Sequence, residues 1–446
     1  MTNIFGTDGV RGRANEGYIT PNNAMKLAAA AVNYYASAGH QSVNGKFTVV
    51  IGKDTRLSGY MLEPALTAGF ISAGADVVLL GPIPTPAVAS MTRSLRADLG
   101  VVISASHNPF HDNGIKFFNS RGFKISVQDE FAISHIFSEH PNLASGEHMG
   151  KAKRLDDAAG RYVEFVKSSF PRNLSLSGFK IVVDTANGAA YKIAPQVLWE
   201  LGADIVRVGD APDGLNINRN CGATHTELLQ RTVIEHRADI GIALDGDADR
   251  LIVVDECGEV VDGDFLIAAI ATNWAHTGKL QGNNIVTTTM SNLAMEKYLN
   301  SQELTLLRSD VGDKYVIQKM LETNANVGGE KSGHIILSDY ATTGDGCIAA
   351  LQVLAYLIET KSKASEMRKF YTPYPQVMRN VPGSLDLEDP AISNVISKIQ
   401  NEMLKEAGRI IARKSGTEPL TRVMFEAKSE SKLQQAVEMF DTIVKV

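Results

Sequence analysis

The segment DGDADR at 245–250 places Asp245, Asp247 and Asp249 at alternate positions. In an extended loop alternate side chains point the same way, so the three carboxylates converge and require a cation. Three hard oxygen ligands with room left for a phosphate oxygen suit Mg²⁺, which takes a few carboxylates plus phosphate or water rather than a closed protein cage. A solvated acidic turn is the plain alternative. An EF-hand calcium loop is a sharper rival, because Glu256 falls at its twelfth position, but Arg250 stands where that loop needs glycine and LIVVDE continues as a strand. The calcium reading is excluded.

A second loop, SASHNP (104–109) followed by HDNGIK (111–116), sets hydroxyls and a histidine at a strand end, beside a proline that blocks smooth continuation into a helix. Ser106 is expected to stand exposed there. A hydrolase nucleophile is disfavoured, since Gly-x-Ser-x-Gly is absent and no Asp–His pair is evident. A phosphate carrier fits better. A phosphoserine carries about −1.5 to −2 charges, so it tolerates three neighbouring aspartates only with Mg²⁺ between them, and each loop accounts for the other.

In a third loop, GGEKSGH (328–334), glycines permit close backbone approach, while Glu330, Ser332 and His334 alternate and so share a face. A carboxylate and a hydroxyl so placed can hold sugar hydroxyls; the plain alternative is a glycine-rich turn with a surface histidine. A fourth, ARKSGTEP (412–419) with Arg422 nearby, gathers Arg413, Lys414, Ser415, Gly416 and Thr417 into the mixture of cations and free backbone N–H groups that recognises phosphate. Arg11, between glycines in FGTDGVRG (5–12), and Lys116 can neutralise phosphate or assist proton transfer. Alone, each is more often a surface charge.

The elements that must carry these loops recur along the chain. FTVVIG (47–52) reads as a buried strand, KDTRLSG as a polar loop, 60–73 as a helix, GADVVLLG (74–81) as a second strand and DLGVVIS (98–104) as a third that runs into ASHNP. A second copy has KIVVD (180–184), a helix ending near Gly202, GADIVRVG (202–209) and ADIGIAL (238–244), which runs into DGDADR. A weaker third copy has NNIVTTT (283–289), a helix near 292–300, LTLLRS (304–309), a helix through VGDKYVIQKML, and ANVGG leading into EKSGH. Open α/β sheets bind ligands at the carboxyl ends of strands, so three equivalent loops can line one cleft. The linker YTPYPQ (371–376) then leads to a smaller α+β unit with a hairpin-like pair of apolar runs and a final helix. The expected class is α/β: three similar domains with mixed sheets, 1–153 (serine loop), 154–256 (aspartate loop) and 257–370 (glycine-rich loop), then the α+β phosphate-binding domain at 371–446.

Composition sets outer limits. The 446 residues exceed one core and suit three or four domains. A net charge of −6 without a dense basic block argues against a nucleic-acid partner. No basic segment precedes an apolar run at the N-terminus, and no run of about eighteen apolar residues occurs, so secretion and membrane insertion are not expected. Three cysteines, Cys221, Cys257 and Cys347, form no CxxC pair and are read as free thiols of a reducing, cytoplasmic setting.

In this order and spacing FGTDGVRG, SASHNPFHDNGIK, DGDADR, GGEKSGH and RKSGTEPLTRVM resemble the α-D-phosphohexomutases over essentially the whole chain. The opening motif, VGDKYV (311–316) and RKSGTEP are similar to the branch acting on glucosamine phosphate rather than on mannose or glucose phosphates. The resemblance implies a heart-shaped four-domain isomerase, a monomer or homodimer, that interconverts glucosamine 6-phosphate and glucosamine 1-phosphate for UDP-N-acetylglucosamine and cell-wall synthesis. It implies a phosphoserine at Ser106, a sugar 1,6-bisphosphate intermediate, and one Mg²⁺ on Asp245, Asp247, Asp249 and the Ser106 phosphate, with Arg250 alongside. It assigns Glu330 and Ser332 to the sugar, Arg413, Ser415, Gly416, Thr417 and Arg422 to the distal phosphate, and acid–base work to Arg11, Lys116 or His334 without ranking them. Lys331 departs from the glutamine common in that branch. The rival readings are a mannose- or glucose-phosphate mutase of the same fold, a magnesium-dependent sugar phosphatase, and a non-catalytic sugar-phosphate sensor.

Overall fold

The computed structural model describes residues 3–6, 8–383, 385–414 and 420–444. Its first sheet has six strands in the order Val10–Arg13, Asp112–Asn119, Leu99–Ile103, Thr48–Lys53, Asp76–Pro82, Ala152–Arg154. Thr48–Lys53 pairs in parallel with Asp76–Pro82 and Leu99–Ile103, which in turn pairs antiparallel with Asp112–Asn119. The second sheet repeats that plan around Lys180–Asp184, with Ile240–Leu244 turning back into antiparallel Leu251–Asp255. The third repeats it around Asn284–Thr288, with Val327–Gly329 turning back into Ile335–Leu337. Each polar loop found by repetition therefore joins a buried parallel strand to an antiparallel return.

These strands form because apolar, β-branched runs bury both faces: every residue of Leu99–Ile103, Ile240–Leu244 and Leu251–Asp255 is buried. Helices supply the cover. Pro21–Ser37 starts on an N-cap, Thr20, whose side chain accepts the Asn23 N–H, and it buries an alanine face. Gly263–His276 and Gly346–Thr360 are buried along most of their length, because they lie between domains, and their residues join one apolar cluster with those of the first and second sheets. The second sheet keeps Val260–Val261 as its edge strand, past the expected boundary at 256, because the chain after Leu251–Asp255 doubles straight back as a hairpin.

The C-terminal unit is a three-stranded antiparallel sheet, Gln376–Pro382, Leu420–Ala427, Gly408–Lys414, backed by Glu430–Val444. Asn292 pins the linker into it, since its side chain both accepts the Tyr374 N–H (3.0 Å) and donates to the Tyr374 carbonyl (3.0 Å).

Candidate active site

The aspartate loop is a turn rather than an extended segment. Ala248 N–H donates to the Asp245 carbonyl (3.0 Å) and Ala248 lies at φ +57°, and the carboxylates converge by that fold instead of by simple alternation. Three successive carbonyls are occupied from outside: Gly246 accepts from Ala189 N–H (2.8 Å), Asp247 from Thr85 N–H (2.9 Å) at the start of helix Thr85–Ser94, and Ala248 from Gly346 N–H (3.0 Å) at the start of Gly346–Thr360. With the backbone so engaged, the carboxylates are the free ligands. One ligand atom from each of Asp245, Asp247 and Asp249 lies within 4.8 Å of the others, and all three residues are buried.

The trio's own atoms fit a cation. Asp247 Oδ2 already accepts from Lys116 Nζ (2.9 Å) and Thr85 Oγ1 (2.7 Å), whereas buried Asp247 Oδ1 and Asp249 Oδ1 have no hydrogen-bond partner. Burial, and then Asp249 and Asp247, push the Asp245 carboxyl well above the usual range. Burial acts on Asp249 in the same sense, but His334, Lys116 and Arg250 together hold it below that range.

Ser106 is only 2% exposed, which corrects the expectation of an exposed hydroxyl. The second domain closes over its loop: Ser106 Oγ donates to Asp245 Oδ2 (2.6 Å), and Asn218 Nδ2 donates to the Ser106 carbonyl (2.9 Å). Gly246 permits this approach, because a Cβ there would stand 2.7 Å from that same carbonyl. His107, with Nδ1 3.4 Å from Ser106 Oγ, is driven down to about 4 by burial and by Arg250 and Arg11, so it is neutral at pH 7.

Lys116 and Arg11 sit where sheet register puts them, Lys116 opposite Val102 and Arg11 opposite Gly114. Lys116 Nζ reaches Asp247 (2.9 Å), Asp8 (3.2 Å) and Asp249 (3.9 Å); burial opposes its charge, but those carboxylates raise its pKa. Arg11 pairs with Asp8. Asp8 also pairs with Lys124, Lys124 with Asp313, and Asp313 lies 3.7 Å from His334 Nε2, whose Nδ1 lies 3.6 Å from Asp249. The circuit Asp249, Lys116, Asp8, Lys124, Asp313, His334 is thus a closed ring drawn from three domains. Gly344 N–H points at His334 Nε2 (3.2 Å), which favours a ring proton on Nδ1 facing Asp249. The surrounding carboxylates work against burial to raise the His334 pKa.

The glycine-rich loop is also a turn, closed by Gly333 N–H on the Glu330 carbonyl (2.9 Å) with Gly333 at φ +88°. Glu330 and Ser332 still meet, Ser332 Oγ donating to Glu330 Oε2 (3.1 Å), while His334 turns inward to Asp249. Lys331 leaves the other way, to Gln376 Oε1 (2.9 Å) and Asp262 Oδ2 (3.8 Å). Arg250 is placed by its N–H on Asp245 Oδ1 (3.2 Å), and its Nε lies 3.8 Å from Asp249. In the C-terminal sheet Arg413 and Arg422 are directly opposed across strands. Burial, then Arg422, lower the Arg413 pKa, and Glu330 acts in the opposite sense. Ser415, Gly416 and Thr417 lie outside the described residues.

Sequence reasoning missed Asp8, Arg56, Thr85, Lys124, Asn218 and Asp313. Asp8 and Asp313 lie inside motifs singled out for other reasons, FGTDGVRG and VGDKYV, and Arg56 inside the polar loop KDTRLSG. Thr85, Lys124 and Asn218 have no local signal.

The chain matches four domain families in succession: phosphoglucomutase/phosphomannomutase alpha/beta/alpha domain I over 2–143, domain II over 160–258, domain III over 262–374 and the C-terminal domain over 375–443. It is 54% identical to the phosphoglucosamine mutase of Paramagnetospirillum magneticum over 442 residues, covering 98% of this chain and 97% of the relative. Among solved structures it resembles a phosphoglucomutase/phosphomannomutase family protein of Burkholderia thailandensis, with TM-score 0.83, 25% identity and coverage of 99% and 97%. It also shares the fold of Aspergillus fumigatus N-acetylphosphoglucosamine mutase, solved with GlcNAc-6P and magnesium, with TM-score 0.66, 18% identity and coverage of 99% and 94%.

Proposed function

The chain belongs to the phosphoglucomutase/phosphomannomutase family, and from that premise we propose that it interconverts glucosamine 6-phosphate and glucosamine 1-phosphate through a phosphoserine at Ser106. The observation that carries the proposal is the Ser106 hydroxyl 2.6 Å from Asp245, inside a buried cluster of three carboxylates with unpartnered oxygens. The amino-sugar preference rests on the 54% identity to a phosphoglucosamine mutase.

Transfer begins with phosphorylated Ser106. The bond from phosphorus to Ser106 Oγ breaks as a substrate hydroxyl oxygen attacks phosphorus, the proton lost by that hydroxyl is matched by one gained at Ser106 Oγ, with Arg11, Lys116 and His334 the candidates for this acid–base work, and a sugar 1,6-bisphosphate results. The bisphosphate turns over in the cleft, and Ser106 takes back the phosphoryl group from the other position, leaving the isomeric monophosphate. Mg²⁺ on Asp245, Asp247, Asp249 and the Ser106 phosphate would supply charge neutralisation at the phosphoryl group. Arg250 brings a further cation to the same place, Glu330 and Ser332 hold sugar hydroxyls, and Arg413 and Arg422, with Ser415, Gly416 and Thr417, hold the distal phosphate. Four domains, divided near 153, 256 and 370, each contribute one loop to this cleft. A cytoplasmic setting is supported by the free thiols Cys221, Cys257 and Cys347, and no helix of the described residues is long and apolar enough to cross a membrane.

Intact mass with peptide mapping tests the carrier, and coupled assays on glucosamine, glucose and mannose 6-phosphates test the substrate. The reading expects phosphate on Ser106, a preference for glucosamine 6-phosphate, and loss of nearly all activity in a folded Ser106→Ala variant. Retention of more than a few per cent of wild-type activity in that variant refutes the phosphoserine route.

A further inference from the structure

The Arg56 side chain is fully shut off from solvent, and a buried guanidinium is tolerable only where its N–H groups find acceptors. Nε donates to Asp54 Oδ2 (2.8 Å), Nη1 to the carbonyls of Pro109 and Asp112 (3.1 Å for Asp112), and Nη2 to those of Ser106 (3.0 Å) and Asn108 (2.8 Å). Four of these five acceptors are main-chain carbonyls of the loop that presents Ser106. Because no donor is left over, Arg56 is not a substrate ligand.

Both backbone polar groups of Ser106 lead to the same pair. Ser106 N–H donates to Ser104 Oγ (2.9 Å), Ser104 Oγ donates to Asp54 Oδ2 (2.6 Å), and Asp54 in turn accepts from Arg56. The loop needs such holding because Ser106 has φ +51°, in the left-handed region that a residue bearing a Cβ occupies at a cost. From the second domain, Asn218 Nδ2 donates to the Ser106 (2.9 Å) and Asn108 (3.0 Å) carbonyls, so each of these carbonyls takes one donor from either domain.

We propose that Arg56, with Asn218 across the domain boundary, is a positioning residue for phosphoryl transfer: it locks the strained Ser106 loop so that Oγ faces the aspartate trio. This rests on Ser106 being the phosphoryl carrier. Lysine does not replace Arg56, since an ammonium has three donors on a flexible stem in place of a rigid planar fork.

The test compares wild type, Arg56→Lys and Asn218→Ala as full chains. It measures kcat and KM for glucosamine 6-phosphate, Tm, and, by intact mass, the rate at which glucosamine 1,6-bisphosphate phosphorylates Ser106. Misplacing a reacting atom by about 1 Å costs about a hundredfold in rate, so Arg56→Lys is expected to lose about that much kcat while KM stays within about threefold. Phosphorylation of Ser106 slows in parallel. Asn218→Ala, which leaves Arg56 in place, loses about tenfold by the same reasoning, and it decides the matter should Arg56→Lys fail to fold. A folded variant with wild-type kcat and phosphorylation rate overturns the proposal, as does a rise in KM at constant kcat. A wild-type enzyme whose Ser106 never takes phosphate removes the carrier reading, and this inference with it.

Discussion

Replacing Lys331 by glutamine removes the positive charge between Glu330 and Ser332, and the structure sets how much that change is worth. An ammonium in the sugar loop invites the thought that it repels an amino sugar. The turn at Glu330–Gly333 directs it elsewhere: Nζ meets Gln376 Oε1 at 2.9 Å and stands 3.8 Å from Asp262, and the side chain is 39% exposed. An exposed ion pair is worth about 0.2–1 kcal/mol, and the charge is already partnered by Asp262. A glutamine amide can still reach toward Gln376. Lys331→Gln should therefore change kcat/KM for glucosamine 6-phosphate by less than about tenfold, or about 1.4 kcal/mol. Glu330 is different. Its Oε1 accepts the Gly312 N–H (3.2 Å) and its Oε2 the Ser332 hydroxyl (3.1 Å), and its charge acts on both Arg250 and Arg413. Hydrogen bonds to a charged group are worth about 1.5–3 kcal/mol, so Glu330→Ala should cost at least about a hundredfold. Both variants are assayed on glucosamine, glucose and mannose 6-phosphates at one salt concentration. If Lys331→Gln raises kcat/KM for glucosamine 6-phosphate more than tenfold, the outward orientation has no bearing on specificity and the amino-sugar assignment fails.

Asp247→Ala should abolish magnesium-dependent turnover, because the two remaining carboxylates hold the ion poorly beside a phosphate; unchanged activity across a magnesium titration refutes the ligand assignment. Arg413→Ala should raise KM for the sugar phosphate far more than it lowers kcat, since a distal clamp acts in binding, and an unchanged KM takes that strand out of the site. Asp345 is pushed up to about 6 by burial, although it accepts the Ile348 N–H and the Tyr162 hydroxyl. In the folded state it keeps a proton that the unfolded chain releases at lower pH, so its contribution to stability falls as pH rises from the usual carboxylate range through about 6. Asp345→Asn keeps an N-cap acceptor and should flatten that fall, measured as Tm at pH 5 and pH 7; an identical pH dependence in both proteins refutes it.

The repeat was legible because it is written in local periodicity. Each third strand is an unbroken apolar run ending in a polar loop, and both features fit within a few residues of chain. Two geometric premises were wrong in detail: the aspartate and glycine-rich loops turn through Ala248 and Gly333 at positive φ instead of running extended. Alternation in sequence does not report a turn closed by one hydrogen bond. The burial of Ser106 was illegible for a related reason, since the residues covering it, Asp245 and Asn218, lie 139 and 112 positions away. Thr85, which fixes Asp247 from 162 positions away, carries no motif at all.

The overall charge of −6 said nothing about the site because the site balances itself locally. Five carboxylates, Asp8, Asp245, Asp247, Asp249 and Asp313, face four obligate cations, Arg11, Lys116, Lys124 and Arg250, with His334 between Asp249 and Asp313. That set comes within one charge of neutrality, which is the condition for burying so many ions together. A phosphoryl group on Ser106 adds about −2, while Lys116, Lys124 and Arg11 are already committed to aspartates and Arg250, 3.8 Å from Asp249, brings only one positive charge. A divalent cation would restore the balance at Asp247 Oδ1 and Asp249 Oδ1, the oxygens without a hydrogen-bond partner. Phosphorylation and metal binding are therefore expected to be coupled: dephosphorylated enzyme should bind Mg²⁺ more weakly than phosphorylated enzyme, and equal affinities in calorimetric titrations would refute the charge balance argued from these residues.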